Sequence, residues 1–222
     1  MLLTEVLTQL EAAGSEQTRK TYARHGVKGE YFGVSYAVLG QLRKKIKVDD
    51  ALAVELWASG NHDARILACM VTDTAALTRV RIDSMVDVID NYVLAGELGD
   101  LIARSPLLMD VHNTWRFDTG EWRSAIGWRM VSALASKGNV SLDAGRSYLS
   151  EIEAGVSSAP NRTRLAMNSA LIALGGYNSC LYEDAVACSG RIGPIQVDHG
   201  DTGCKTPDPV VYMQKMRVRQ KS

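Results

Sequence analysis

Apolar residues recur along this chain at about every third or fourth position, and glycine, proline or small polar clusters interrupt them at intervals. That period belongs to amphipathic α-helices, each burying one stripe. Residues 2–13 carry it up to Gly14, and a polar helix over 16–24 closes at Gly26. An aromatic loop follows, Glu30-Tyr31-Phe32-Gly33-Val34. Ser35 stands where it can cap a helix running to Lys47, and Asp49 or Asp50 can cap the next, which Gly60 stops. The pattern predicts further helices over His62–Val71 and Met85–Val93, the latter with Gly96 after it. Pro106 breaks the period, so residues 107–120 read as a loop or short helix. Glu121–Ser136 is the clearest helix, stopped by Gly138. Ser141 or Asp143 can cap another, to about Glu153, and Pro160 suits the first turn of a helix from Asn161 that ends at Gly175-Gly176. Residues 180–189 are helical, 190–209 irregular, and a last helix near 209–216 leads into a basic tail.

Nowhere do polar and apolar residues alternate as a half-buried strand requires. Helix pairs recur at roughly 35–45 residues, the spacing of HEAT-like repeats. The expected fold is therefore all-α: a curved solenoid of HEAT-like antiparallel helix pairs, an α-α superhelix, over residues 1–189. An irregular extension with a short helix and basic tail covers 190–222. The concave face of such a stack suits extended partners.

Composition changes this picture little. With 222 residues, 46% hydrophobic and 23% charged, the chain is an ordinary globular protein. Its 25 cations balance 25 carboxylates, so no global field attracts nucleic acid, and a local basic face would have to do so. No run approaches the ~18–20 apolar residues that span a bilayer. Glu5 stands where a signal peptide would be positive, so the expectation is a cytoplasmic monomer away from membranes. Cys69 falls in an apolar run and reads as a reduced core residue. Cys180, Cys188, His199 and Cys204 are zinc-ligand types, but their spacing matches no compact knuckle. A hydrogen-bonded loop is the preferred reading, with no cofactor expected.

Two features carry candidate chemistry. Asp87 and Asp90, three residues apart on the predicted helix, would share one face. Cations gather in Arg43-Lys44-Lys45 and Lys47, the best phosphate-binding candidate, with a solvated helix face as the plain alternative. Arg162 and Arg164 at a helix start can add a second contact, and Arg123 sits on the clearest helix. Trp115, in the stretch before that helix, either stacks on a base or anchors its loop in the core.

In their order, Tyr31-Phe32-Gly33-Val34 with Leu42-Arg43-Lys44, the step from Leu56 to Arg65, Ser84 to Asp90, and Trp122-Arg123-Ser124-Ala125-Ile126 resemble the DNA alkylation-repair glycosylases built from HEAT-like repeats (the AlkD type), over roughly residues 18–180. The resemblance implies that Asp90 is the catalytic carboxylate and Arg123 the cleft arginine. It also implies a reaction, hydrolysis of the N-glycosidic bond of a cationic alkylated purine in double-stranded DNA, without metal or organic cofactor. A carboxylate beside the sugar would stabilise the developing oxocarbenium ion, and the arginine would hold a phosphate. The family's paired tryptophans fall on Met85 and Val86, and a third at or near Ser169. Three functions stay open: a glycosylase, a non-catalytic protein binding bent or branched DNA, and a solenoid scaffold binding protein segments.

Overall fold

The computed structural model describes residues 1–220; the end of the predicted basic tail, Lys221 and Ser222, lies outside them. Among the described residues there are helices and no strand. They form two compact units, residues 1–108 with 200–202 and residues 109–199 with 203–220. Most of the C-terminal extension thus belongs to the second unit. No helix among the described residues is long and apolar enough to cross a membrane.

The first unit contains α1 (Leu3–Ala12), α2 (Glu16–Arg24), α3 (Tyr36–Ile46), α4 (Asp50–Ala58), α5 (His62–Val71), α6 (Arg79–Val86) and α7 (Tyr92–Ala103). Side-chain caps set many of the starts: Ser35 accepts from Val38 N, Asp49 from Leu52 N, and Asn61 from Ala64 N. α4 and α5 form an antiparallel pair, since Asp49 N at the start of one donates to Val71 O at the end of the other at 2.9 Å. α3, α5 and α7 pack side by side as one layer. Leu39, Leu42, Leu56, Ile66, Leu67, Ile82, Leu98 and Ile102 fill the core.

The second unit contains α8 (Leu108–Trp115), α9 (Glu121–Ser136), α10 (Leu142–Gly155), α11 (Asn161–Tyr177), α12 (Tyr182–Ile192) and α13 (Pro209–Gln220). α9 and α11 run in the same direction, because Glu121 Oε1 accepts from Arg162 N at 2.7 Å and its carbonyl from Thr163 Oγ1 at 3.2 Å. α10 and α12 are likewise in step: Arg146 pairs with Asp184 at 2.9 Å and, two turns on, Glu153 with Arg191 at 2.6 Å. Alternate helices stacked in two layers are the HEAT-like arrangement that the spacing predicted.

Several boundaries differ from the sequence pattern. The expected helix over Met85–Val93 does not exist: α6 stops at Val86, and Asn91 starts α7 by accepting from Val93 N and Leu94 N, both at 3.1 Å. Gly96 lies inside α7. Of the two readings for residues 107–120 the short helix is the one that forms: residues 108–115 are α8, with Leu108, Val111 and Trp115 buried at helical spacing. Gly175 and Gly176 do not stop α11, which continues to Tyr177. They are notches instead: a Cβ on Gly175 would stand 2.3 Å from Met213 Sδ, and one on Gly176 2.6 Å from Met216 Sδ.

Candidate nucleic-acid interface

In the first unit the aromatic loop before α3 is held from beneath by Asp63, a fully buried residue in the first turn of α5. Its carboxylate accepts from the backbone N–H groups of Phe32 (2.7 Å), Gly33 (3.1 Å) and Val34 (2.9 Å), and the Tyr22 hydroxyl lies 3.1 Å away. Burial, then the Asp63 charge, pushes the Tyr22 phenol well above its ordinary value. Gly33 has φ +80°, and a Cβ there would meet the backbone nitrogen of Arg19 at 2.8 Å, so the turn admits only glycine. This loop sets where α3 begins, and so where its other end presents Arg43, Lys44, Lys45 and Lys47. All four are exposed. The first three occupy the last turn of α3, where cations also offset the helix dipole. Lys47 ends the helix with φ 66° and ψ −124°, a left-handed conformation that favours glycine and turns the chain sharply away.

Asp90 lies in the turn between α6 and α7, and so shares no helix face with Asp87, which caps the end of α6. The expected pairing of the two carboxylates is thereby corrected: the Asn91 cap outcompetes continuation of the apolar period. Asp90 is exposed, and its Oδ1 accepts from Asn91 Nδ2 at 2.8 Å. Since Asn91 is 3% exposed and its own oxygen is held by two backbone N–H groups, the amide fixes the orientation of the neighbouring carboxylate. Met85 and Val86 are core residues at 2% and 3% exposure. Ser169, at the third tryptophan position, is exposed on α11.

His62 belongs to the same neighbourhood and was not singled out in the sequence. It is 2% exposed, its ring stands edge-on to Tyr22 with centroids 4.8 Å apart, and neither ring nitrogen has a hydrogen-bond partner. Burial pushes its pKa down to about 4, against the opposing pull of Asp63 and then Asp90. The unfolded chain therefore takes up this proton from pH 6.5 downward, whereas the folded chain does not until about 4. Stability rises with pH across that window and is lost on acidification, at about 1.4 kcal/mol per pH unit. Between pH 7 and 5, thermal melts of the wild type should lose about 2 kcal/mol more than those of His62→Phe, whose ring cannot titrate. Equal losses would show that the imidazole is not held neutral.

In the second unit Arg123 occupies the first turn of α9, with its guanidinium 5.5 Å from the centroid of the Trp115 ring. Trp115 closes α8 and is 1% exposed. Stacking of Trp115 on a base, one of its two sequence readings, is corrected here: the ring is packed inside, offering its face to Arg123. Glu121 Oε1 is engaged by the start of α11, which puts Arg162 and Arg164 on the helix beside that of Arg123. Asp118 Oδ1 accepts from Gly120 N at 2.7 Å. Among the zinc-type residues, Cys188 is buried with Sγ directed to Leu149 O at 3.4 Å, and His199 Nε2 lies 3.0 Å from Thr206 Oγ1. Cys180 and Cys204 are exposed. No group of three or more metal-ligating side chains occurs among the described residues.

Gly127 lies a turn after Arg123 on α9 and has no chemistry in its side chain to mark it. A Cβ there would stand 2.3 Å from Arg116 N and 2.6 Å from Arg116 Cα. α9 thus crosses the end of α8 at backbone contact, and a glycine within a strong helical pattern is the legible sign of such a crossing.

Comparison with known proteins agrees with this architecture. Residues 6–196 match the family model for the DNA alkylation repair enzyme. The uncharacterized protein Lmo0209 of Listeria monocytogenes is 25% identical over 220 residues, 96% of each chain. Lin0241 of Listeria innocua is 26% identical over 218 residues, again 96% of each. A solved structure superposes with a TM-score of 0.90 at 27% identity, covering 99% of this chain and 95% of its own. It is described as one of a new family of proteins related to the HEAT-like repeat DNA glycosylases with affinity for branched DNA structures.

Proposed function

The chain belongs to the DNA alkylation repair enzyme family, and from that premise we propose that it binds branched DNA by its backbone phosphates. The observation that carries this reading is the exposed cationic end of α3, formed by Arg43, Lys44, Lys45 and Lys47 in a chain with no net charge. Arg123, Arg162 and Arg164 add cations at two neighbouring helix starts of the second unit. The solved relative's affinity for branched DNA, at 27% identity along nearly the whole chain, supports the same substrate class. In this reading the protein is a cytoplasmic monomer gripping double-stranded arms. Phosphate contacts set its register without reading sequence.

Charge reversal tests it. A labelled four-way junction should bind the wild type with an affinity that falls steeply with salt. Arg43→Glu/Lys44→Glu should weaken it by at least about tenfold and flatten the salt slope by about 2. A salt-insensitive affinity unchanged by the double substitution would favour the protein-scaffold reading.

Base excision is a second reading, favoured by the oriented and solvent-facing carboxylate of Asp90. In that reaction the cationic base leaves with the bonding electrons as a neutral purine, Asp90 stabilises the resulting sugar cation, and water adds to the anomeric carbon while giving up a proton to the Asp90 carboxylate. The aliphatic residues at 85 and 86 are buried, so no aromatic face from those positions meets a cationic base. Release of methylated purine from a duplex, abolished by Asp90→Asn, would establish excision. Release unaffected by Asp90→Asn would remove this carboxylate from the chemistry, and the absence of any release leaves binding as the function.

A further inference from the structure

The C-terminal extension takes no part in the reading above. It is nonetheless firmly seated. Asn161 Nδ2 donates to Asp198 O and its Oδ1 accepts from Asp198 N, both at 2.7 Å, and Asn168 Nδ2 donates to Pro207 O at 2.9 Å. Met213, fully buried, and Met216 then enter the notches at Gly175 and Gly176, which fixes the rotation of α13 about its own axis. With both methionines turned toward α11, Tyr212, Lys215 and Arg219, spaced three and four apart, share one flank of the helix beside Met216, and all three are exposed.

The segment has a marked charge. Residues 209–222 contain four cations and no acidic side chain, whereas the other residues carry 21 cations against 25 carboxylates. Cations in the last turn of a helix are expected because they offset its dipole. Lys215 lies ahead of that turn, with its ammonium 5.4 Å from the centroid of the Tyr212 ring. Arg217 is turned elsewhere, 4.0 Å from the ring of Tyr182. On the exposed flank Lys215 and Arg219 lie beside the Tyr212 ring, a combination suited to a nucleic-acid backbone.

We propose that the exposed flank of α13, formed by Tyr212, Lys215 and Arg219, is a second phosphate-binding surface, in addition to the α3 cluster, for the duplex arms of a branched DNA. The proposal rests on the DNA-binding reading and deepens it. A branched substrate presents more duplex arms than a short linear duplex, and so more phosphates for a second cationic surface to meet.

The test uses the full chain and the double variant Lys215→Gln/Arg219→Gln, which keeps helix-forming residues at two exposed positions. A labelled four-way junction and a linear duplex of one arm's length are titrated over a range of salt. The variant should melt with the wild type, bind the junction about tenfold more weakly, flatten its salt slope by about 2, and change little on the linear duplex. A variant equal to the wild type on the junction at every salt overturns the proposal while leaving the α3 reading intact. So does a variant unchanged on the junction but released from phosphatidylglycerol vesicles that the wild type binds, since the flank would then face a membrane. A wild type that ignores the junction fells both readings.

Discussion

Asp63→Ala should remove most of the stability of the first unit. Three backbone N–H groups at Phe32, Gly33 and Val34 would lose their acceptor beneath a fully buried site, and the Tyr22 hydroxyl one of its two neighbours. Each buried donor left unpaired costs about 1–3 kcal/mol, so a total of about 4–6 kcal/mol is expected after partial relaxation. That is a large share of the roughly 5–15 kcal/mol that holds a domain together. Tyr22→Phe deletes only the hydroxyl, whose other neighbour is Val34 O at 2.9 Å, and should cost about 1 kcal/mol. Urea denaturation followed by tyrosine signals from the first unit reads both. An Asp63→Ala midpoint close to that of Tyr22→Phe would mean that the loop repacks without its anchor.

Gly127→Ala is expected to be nearly as damaging. The added carbon meets backbone atoms of Trp115 and Arg116 at 2.3–2.6 Å, and no side-chain rotation can relieve such a contact. The opposing strand of chain has little room to retreat. Arg116 is tied to Glu151 at 3.0 Å, and its guanidinium rests 5.0 Å from the Tyr148 ring. Forcing α9 off the end of α8 should cost about 3–5 kcal/mol, at the high end for a single methyl group. It should also disturb Arg123, which shares its helix face with Gly127, so junction binding should fall under conditions where the protein is still folded. Gly96→Ala is the control: a Cβ there meets nothing within 4 Å, and in mid-helix alanine gains about 0.5–1 kcal/mol over glycine. A Gly127→Ala protein melting near the wild type would show that α8 shifts freely.

Much of this was legible in the chain. Ser35, Asp49 and Ser141 cap the helices expected of them, because a short polar side chain before an apolar period is a local signal that tertiary packing seldom overrides. The turn holding Asp90 was obscured because Val86, Val88 and Ile89 keep the apolar rhythm running past the end of α6, while Asn91 ends it through a hydrogen bond that hydropathy does not register. Gly175-Gly176 reads as a stop because conformational freedom is the usual reason for paired glycines. Here the reason is steric, and its partner lies almost forty residues downstream. Of the candidate site residues, Arg43, Lys44, Lys45 and Lys47 are exposed as charge demands and Arg123, Arg162 and Arg164 are half-buried at their helix starts, whereas Trp115 went inside because its spacing from Leu108 and Val111 places it on the buried stripe of α8. The burial of Asp63 has no sequence signature, since an aspartate in a first helical turn is usually a solvated one.

A stack of repeats has no natural last layer, for whatever surface ends it resembles the surface that receives the next repeat. In the second unit the methionines of α13, fitted against the twin glycines of α11, cover such a surface. Leu171, Leu174 and Ala185 stay dry within the cluster that Met213 completes. A protein clipped ahead of Pro209 would bare this oily seam to water. The helix over residues 209–220 is therefore a cover for the second unit, and its removal trades a sealed core for a sticky one.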